Sequence, residues 1–409
     1  MIECADCGLN QEQPVLAIGQ SAFCRRCDAR LARYYPPGYQ TSAALSLAAL
    51  ALLVVANVEP FLHFAFHGRQ TTAYLWSGIE MLWEAGYEPL AFLVGGTVIL
   101  VPLFLVSGVL VVSGSLGFEY RPAYLGGLYR WLRKLRSWAM LEVFLLGVLV
   151  AVVKLGDLAS IGLGIGFYAF VVSSLLMLGS WETLDPKAVW KQVDLSSASR
   201  RDGEGRGPLH LLACSVCDLQ SSPPPDQSGG LACPRCGEPL HERKPYSVQR
   251  ALSLLLAAAI LYIPANLLPV MKVELLGRSE TDTILQGVQA LIAGGLWEIA
   301  ALVFFASFLV PGLKILGLLY LAWTVRHPDP ERLVLHTRLY RVIEQVGRWS
   351  MIDVFMTAVL VGLVQLGAIA TILPGAGAVC FAAVVVLTLY AARAFDPRVL
   401  WDAVEEQDA

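Results

Sequence analysis

At 409 residues, with 56% hydrophobic and only 15% charged side chains, the chain has too few polar groups to cover a soluble globule of its size, so a membrane is its expected solvent. A net charge of −3 excludes bulk electrostatic attraction to nucleic acid or to an acidic substrate. Where the charges fall therefore matters more than their sum.

The first forty residues carry Cys4, Cys7, Cys24 and Cys27 among several arginines. They lack the apolar core of a secretory signal, so this end is expected to stay uncleaved and cytoplasmic. Two Cys-x-x-Cys pairs separated by 16 residues suit a ribbon in which two turns present four thiolates to one tetrahedral ion. The arrangement returns at Cys214, Cys217, Cys233 and Cys236, with 15 residues between the pairs. Gly8 and Gly237, each just after a cysteine, suit the tight turns such knuckles need. Four sulfur ligands leave no open position for water or substrate, so each ion is read as a structural Zn2+ staple. Rubredoxin-like iron is the alternative; an iron–sulfur cluster lacks its signature here, and disulfides are disfavoured in a reducing compartment. Cys380, alone in the last apolar run, reads as a small packing residue.

Apolar runs long enough to span a bilayer cover residues 41–62, 89–114, 138–158, 162–182, 247–270, 296–325, 349–373 and 375–395. Only helices or closed barrels satisfy the backbone in lipid, and eight helices is the simplest reading. Arg121, Arg130, Arg133, Lys134 and Arg136 crowd one connection, and Arg326, Arg332, Arg338, Arg341 and Arg348 crowd a later one. Those connections are expected to face the cytoplasm. Connections carrying Glu80, Glu84 and Glu88, or Glu274, Glu280 and Asp282, then face the periplasm. Around Gly68-Arg69 and Gly277-Arg278, residues 61–74 and 270–284 alternate as β-hairpins do. A short apolar stretch follows each hairpin, at 79–86 and 288–295, and suits a helix lying at the interface.

Whole motifs return at an offset of 209 to 211 residues. Asn57 and Pro60 return as Asn266 and Pro269, Pro102 as Pro311, Trp138 and Glu142 as Trp349 and Asp353, and Asp185-Pro186 as Asp396-Pro397. The fold class expected is an all-α polytopic membrane protein: two tandem four-helix transmembrane units, each preceded by a small cytoplasmic zinc ribbon, with small periplasmic β elements. The boundaries are ribbon 1 at 1–40, unit 1 at 41–190, a polar linker at 191–210, ribbon 2 at 211–245, unit 2 at 246–397 and a cytoplasmic tail at 398–409. An even number of spans per unit makes the repeat parallel, with a pseudo-symmetric seam at the centre.

Ionisable residues inside a span cost a few kcal/mol, so each needs a partner, a wet cavity or a place near the surface. Lys154 and Asp157 share a face near the outer end of the third span and read as a pair, either proton-exchanging or snorkelling. Lys314 lies well inside the sixth, one turn past Pro311 and two turns from Ser307, and is expected to point inward. Glu142 and Asp353 occupy matching helix starts, where the dipole favours carboxylates. Ser350 and Thr388 are weaker candidates, since membrane hydroxyls often bond their own backbone. Asn57 and Asn266 are expected to serve structure, satisfying carbonyls beside the prolines. The repeat fails where Lys314 meets Leu105, Lys154 meets Gln365 and Asp157 meets Ala368, which fits one asymmetric pathway better than two equal pores.

With paired ribbons, four spans per unit, the Asn-x-x-Pro break and Asp-Pro after each last span, the whole chain resembles the paraquat-inducible protein A family. The resemblance implies an inner-membrane, multi-pass protein that is not an enzyme. It also implies a periplasm-spanning tunnel partner with MCE domains, and a role in moving phospholipid between the inner membrane and that tunnel. No nucleotide-binding phosphate loop is present, so the intramembrane charges motivate proton coupling as the energy source. Two other readings are an anchor or assembly platform without active transport, and a membrane metal or redox sensor with exposed thiols.

Overall fold

The computed structural model describes residues 2–12, 16–17, 19–33, 38–66, 69–118, 122–156, 160–197, 212–221, 232–275, 278–364 and 370–405. Two hairpins open the chain, β1 (Ile2–Glu3) with β2 (Asn10–Gln11) and β3 (Ser21–Phe23) with β4 (Arg30–Arg33). Then come α1 (Tyr39–Val58), β5 (Leu62–Phe66), β6 (Arg69–Ala73), α2 (Ser77–Glu84), α3 (Glu88–Gly95), α4 (Val101–Gly117), α5 (Leu125–Leu135), α6 (Leu141–Gly156), β7 (Ser160–Leu163), α7 (Ile165–Thr183) and α8 (Pro186–Ser197). A further small hairpin, β8 (Leu212–Ala213) with β9 (Gln220–Ser221), precedes a recurrence of the same order. That recurrence is α9 (Ser247–Leu267), β10 (Met271–Leu275), β11 (Arg278–Asp282), α10 (Ile284–Ala293), α11 (Trp297–Val303), α12 (Val310–Thr324), α13 (Leu333–Val346), α14 (Ile352–Leu363), β12 (Ala370–Pro374), α15 (Ala376–Ala394) and α16 (Arg398–Glu405).

Among the described residues, eight helical stretches are long and apolar enough to cross a bilayer. Large aliphatic side chains such as Leu256, Ile260 and Ile263 stand exposed on them, as lipid-facing residues do. α1 lies along α7, and α9 along α15. The contact stripe of α1 is Ser42, Ser46, Ala49, Leu53 and Ala56, at helical spacing and all small but Leu53, which lets backbones approach. Across it Ser42 Oγ donates to the Ser180 carbonyl at 2.8 Å and Ser173 Oγ to the Ala49 carbonyl at 2.8 Å. Asn57 and Asn266 each donate to the carbonyl four residues back, Leu53 and Tyr262, at 2.7 and 2.8 Å, so both amides serve the helix end.

The hairpins read around the Gly-Arg pairs form, and each gains a third strand, giving sheets β6-β5-β7 and β11-β10-β12. Hydropathy did not expose that strand: β12 lies mostly within the run 349–373 taken for a seventh span, which is α14 followed by a strand rather than one helix. Ala370, Thr371, Ile372 and Leu373 are apolar or β-branched, and a short run of that kind reads as helix or strand alike. The stretch read as a linker from Lys191 is helical to Ser197, and the tail from Arg398 forms α16. Asp185 and Asp396 stand just before these two helices, each followed directly by a proline; Asp185 Oδ1 accepts from Lys187 N at 2.9 Å and Asp396 Oδ1 from Arg398 N at 3.2 Å.

Two glycines per half hold the start of the fourth and eighth spans against the turn after the first and fifth. A Cβ on Gly164 would lie 2.1 Å from the Pro60 carbonyl oxygen, and one on Gly375 2.1 Å from that of Pro269. Gly166 and Gly377 donate to those same carbonyls at 3.0 Å. Gly375→Ala therefore forces backbone apart and is expected to destabilise by on the order of 3 kcal/mol. Gly96→Ala, where nothing lies within 4 Å, serves as the control. Thermal unfolding in detergent reads the difference, and equal midpoints would contradict the close approach.

The second and sixth spans each widen by one π-helical stretch, Gly96–Leu100 and Phe304–Leu309, just ahead of Pro102 and Pro311. Proline removes an amide and crowds the carbonyl four residues back, and a wider turn relieves both. At the seam α6 crosses α14, where a Cβ on Gly147 would sit 3.1 Å from Met356 N and from Phe355 Cβ.

Candidate metal centres and a buried polar cluster

Both cysteine sets close into compact sites. The sulfurs of each set lie within 4.8 Å of one another. Cys4–Cys27 and Cys7–Cys24 are 3.6 Å apart, and Cys214–Cys236 and Cys217–Cys233 are 3.5 and 3.4 Å apart. A tetrahedral ion with metal–sulfur bonds of about 2.3 Å needs sulfurs about 3.8 Å apart, so the donor sets fit such an ion. The knuckles are one device used four times. Gly8, Asp28, Asp218 and Gly237 follow the second cysteine of each pair with φ of 74°, 60°, 56° and 71°. Their amides donate to the carbonyls of Cys4, Cys24, Cys214 and Cys233 at 2.8 to 3.0 Å. Aspartate tolerates this left-handed conformation better than most residues, so Asp28 and Asp218 do what Gly8 and Gly237 do.

All eight thiols are buried. Hydrogen bonds from Cys7 and Cys217 pull the Cys4 and Cys214 thiols down to about 5 and about 6, whereas burial pushes Cys27 up to about 12. Four thiols so close cannot all ionise without a cation between them.

The ribbons dock crosswise. Ribbon 1 sits on the second half: Asp6 receives Arg341 Nε at 2.6 Å, Glu3 receives Arg398 Nη1 at 3.0 Å, and Arg26 pairs with Glu405 at 2.8 Å while lying over the Trp401 ring. Arg341 also donates to the Cys27 carbonyl at 2.8 Å. Ribbon 2 sits on the first half, where Arg133 donates to the Val216 carbonyl, Lys134 pairs with Glu238 at 2.7 Å and Arg235 forks onto Asp194 at 2.9 and 2.7 Å. The loop arginines read from the sequence as signposts of orientation and as partners for the helix-start carboxylates, and no pattern in the chain marks which ribbon each would meet.

Lys314 is 2% exposed and points inward, as expected; its ammonium donates to Thr388 Oγ1 at 2.9 Å and reaches the Gly347 carbonyl at 3.5 Å. Thr388 passes its own hydrogen to the Val385 carbonyl at 3.0 Å, so its hydroxyl serves its own backbone and the lysine together. Gly347, unanticipated, makes the room: a Cβ there would lie 3.0 Å from both Cε and Nζ of Lys314. Ser307, Ser350, Asp353 and Thr357 are buried on neighbouring elements that pack on one another. Among the described residues no hydrogen bond reaches Ser307 Oγ, Ser350 Oγ or Thr357 Oγ1, and buried hydroxyls left so cost about 1–3 kcal/mol each. At the matching places the first half carries Val98, Leu105, Ala139, Leu146 and Met177. The polar cluster thus belongs to one half only. Glu142 is exposed where its counterpart Asp353 is 3% exposed. Lys154 falls on the last turns of α6; its side chain and Asp157 lie outside the described residues.

Beneath each three-stranded sheet is a small pocket, of about 20 Å³ in the first half and about 30 Å³ in the second. They correspond position for position: Leu62, Ala73, Tyr74, Gly78 and Val94 in one, Met271, Asp282, Thr283, Gly287 and Val303 in the other. Asp353 reaches the second pocket.

A family model described as "Paraquat-inducible protein A" matches residues 39–194 and 248–405. The chain is similar to "Intermembrane transport protein PqiA" of Escherichia coli (strain K12), 35% identical across 100% of this chain and 97% of that protein. It is also similar to "Lipophilic envelope-spanning tunnel protein A" of the same strain, 32% identical across 99% of this chain and 92% of that one. "Probable intermembrane transport protein" of Haemophilus influenzae is 28% identical across 100% and 97%. No solved structure matches.

Proposed function

This chain belongs to the paraquat-inducible protein A family, and we propose that it is the inner-membrane subunit of a lipid transport system, passing phospholipid between the inner membrane and a periplasm-spanning tunnel protein with MCE domains. The observation that carries this reading is a buried lysine, together with the buried, unsatisfied hydroxyls of Ser307 and Ser350 on segments that pack against its helix, in only one half of a repeated fold. Such a cluster is costly in lipid and has no counterpart where packing alone would do. The relatives' printed names, intermembrane transport and envelope-spanning tunnel, support the substrate and the partner.

In this reading the fold is two tandem four-helix units, with ribbons and C-terminus in the cytoplasm beside the arginine-rich connections and the sheets in the periplasm. Zn2+ fills both ribbons as a staple, and the chain does no covalent chemistry. Protons move along Ser307, Lys314, Ser350, Asp353 and Thr388, with Lys154, Asp157 and Glu142 contributing from the first half. Burial of all eight ribbon thiols counts against the sensor reading, which needs them exposed.

Vesicles holding the chain and its tunnel partner test this. Labelled phospholipid should reach the partner at least fivefold faster with a proton gradient than after a protonophore. Transfer no faster than in vesicles lacking the chain would end the transport reading and leave the anchor.

A further inference from the structure

We propose that Arg341, on α13 of the second half, completes the first metal site by holding the Cys27 sulfur; this rests on the reading of the ribbons as zinc sites and adds a residue to one of them. Arg341 lies 314 residues beyond Cys27, yet its guanidinium reaches that cysteine twice. Nη2 donates to the Cys27 carbonyl at 2.8 Å and to Sγ at 3.3 Å. Asp6, between Cys4 and Cys7, receives Nε at 2.6 Å and fixes the fork in place. The two side chains of that pair are 29% and 22% exposed and Cys27 is fully buried, so the planar cation covers this side of the site. A divalent ion among four thiolates leaves two negative charges on the sulfurs. A guanidinium donating to one of them offsets part of that charge, so the sulfur is harder to protonate and slower to react with an electrophile, and the ion is held more firmly.

The second site uses the same register without that bond. Arg130, 211 residues before Arg341, also turns toward the ribbon of the other half, where a Cβ on Gly237 would lie 3.3 Å from its Nη1. The carboxylate it meets there is Glu238, with Oε2 3.9 Å from Nε. Arg235, between Cys233 and Cys236, donates to the Cys217 carbonyl at 3.3 Å and forks onto Asp194. Among the described residues no side-chain donor other than a cysteine reaches a sulfur of the second set. Arg130 therefore docks a ribbon without touching its sulfurs, and it separates docking from metal holding.

The test uses the full chain in detergent, dialysed against a graded chelator, with zinc counted per chain and alkylation of Cys27 and Cys236 read by mass spectrometry. Arg341→Gln should release the ion at Cys27 at a roughly 10- to 100-fold lower chelator concentration and leave Cys236 protected as in the parent. Arg130→Gln should shift release at Cys236 by about fivefold at most, the effect of a docking pair alone. With Co2+ in place of zinc, the sulfur-to-metal charge-transfer band should move to longer wavelength in Arg341→Gln and stay put in Arg130→Gln, because a hydrogen bond lowers the sulfur lone pair in energy. Equal release from the parent and Arg341→Gln, an unmoved cobalt band, or an Arg130→Gln loss as large as that of Arg341→Gln each overturns the role of Arg341 and leaves the zinc reading intact. A parent chain that holds no metal at either ribbon overturns the zinc reading and this inference with it.

Discussion

Stripping the metal from ribbon 1, or replacing Cys27 by serine, is expected to loosen helices far along the chain rather than the span that follows the ribbon. Four thiols held by turns of two or three residues have almost no apolar core, so a ribbon without its ion unfolds. Asp6, Glu3 and Arg26 then leave Arg341, Arg398, Glu405 and Trp401. Each of these pairs is partly exposed and worth at most about 1 kcal/mol, so their joint loss is on the order of 2 kcal/mol. Amide exchange across α16 and the end of α13 should accelerate roughly 30-fold. Cys236→Ser should instead loosen α5 and α8, where Lys134 and Asp194 meet ribbon 2. Mass-spectrometric hydrogen exchange on the two variants decides it: if Cys27→Ser leaves α16 protected and exposes only the start of α1, the crosswise docking is wrong.

Acid should act on the same end of the molecule by a separate route. Burial alone would raise the Asp396 carboxyl, but the Arg398 guanidinium forked onto it at 3.0 and 2.9 Å reverses that and holds it below the usual carboxylate range. A carboxylate depressed in the folded state contributes stability that is fully present above its unfolded value of about 4 and is lost as pH falls through the folded value. Protection of α16 in Asp396→Asn should therefore start lower than in the parent and change less between pH 5 and pH 3. Parallel curves for the two proteins would remove Asp396 as the cause.

What could be read from the chain follows its physics closely. Cysteine spacing and long apolar runs are local signals, and the sites at Cys4 to Cys27 and Cys214 to Cys236 and the apolar helices appear where those signals lie. The inward course of Lys314 was also legible, because a charge that deep in a span has few other places to go. Three features were not. β7 and β12 pair with strands roughly a hundred residues earlier, and nothing within four or five apolar residues distinguishes strand from helix. Crosswise docking is a choice between two similar surfaces, decided by contacts such as Arg341–Asp6 that carry no sequence period. Asp353 was read with Glu142 as a matched helix-start pair, yet one is buried beside a pocket and the other exposed, because the seam packs α14 more deeply than α6.

Lys314→Met is expected to cut phospholipid transfer at least tenfold while leaving the protein as stable as before or more so. The opposite signs are the point. An ammonium 2% exposed in an apolar helix bundle keeps one good hydrogen bond, to Thr388, and a long one, to Gly347. That is a poor exchange for its hydration, and replacing buried charges by apolar side chains of similar volume is often neutral or stabilising by about 1–4 kcal/mol. Methionine fills much of the same space, and Thr388 keeps its bond to the Val385 carbonyl, so no new unpaired donor is created. Lys314→Arg should behave differently, because the bulkier guanidinium must fit where the space is so close that a Cβ on Gly347 would lie 3.0 Å from Cε and Nζ, and it should lower the unfolding midpoint. Thermal unfolding and vesicle transfer measured on the same preparations separate the cases. A destabilised Lys314→Met protein that still transfers lipid at the parent's rate would make the lysine a structural strut, and the asymmetry between the two halves would then have nothing to do with transport.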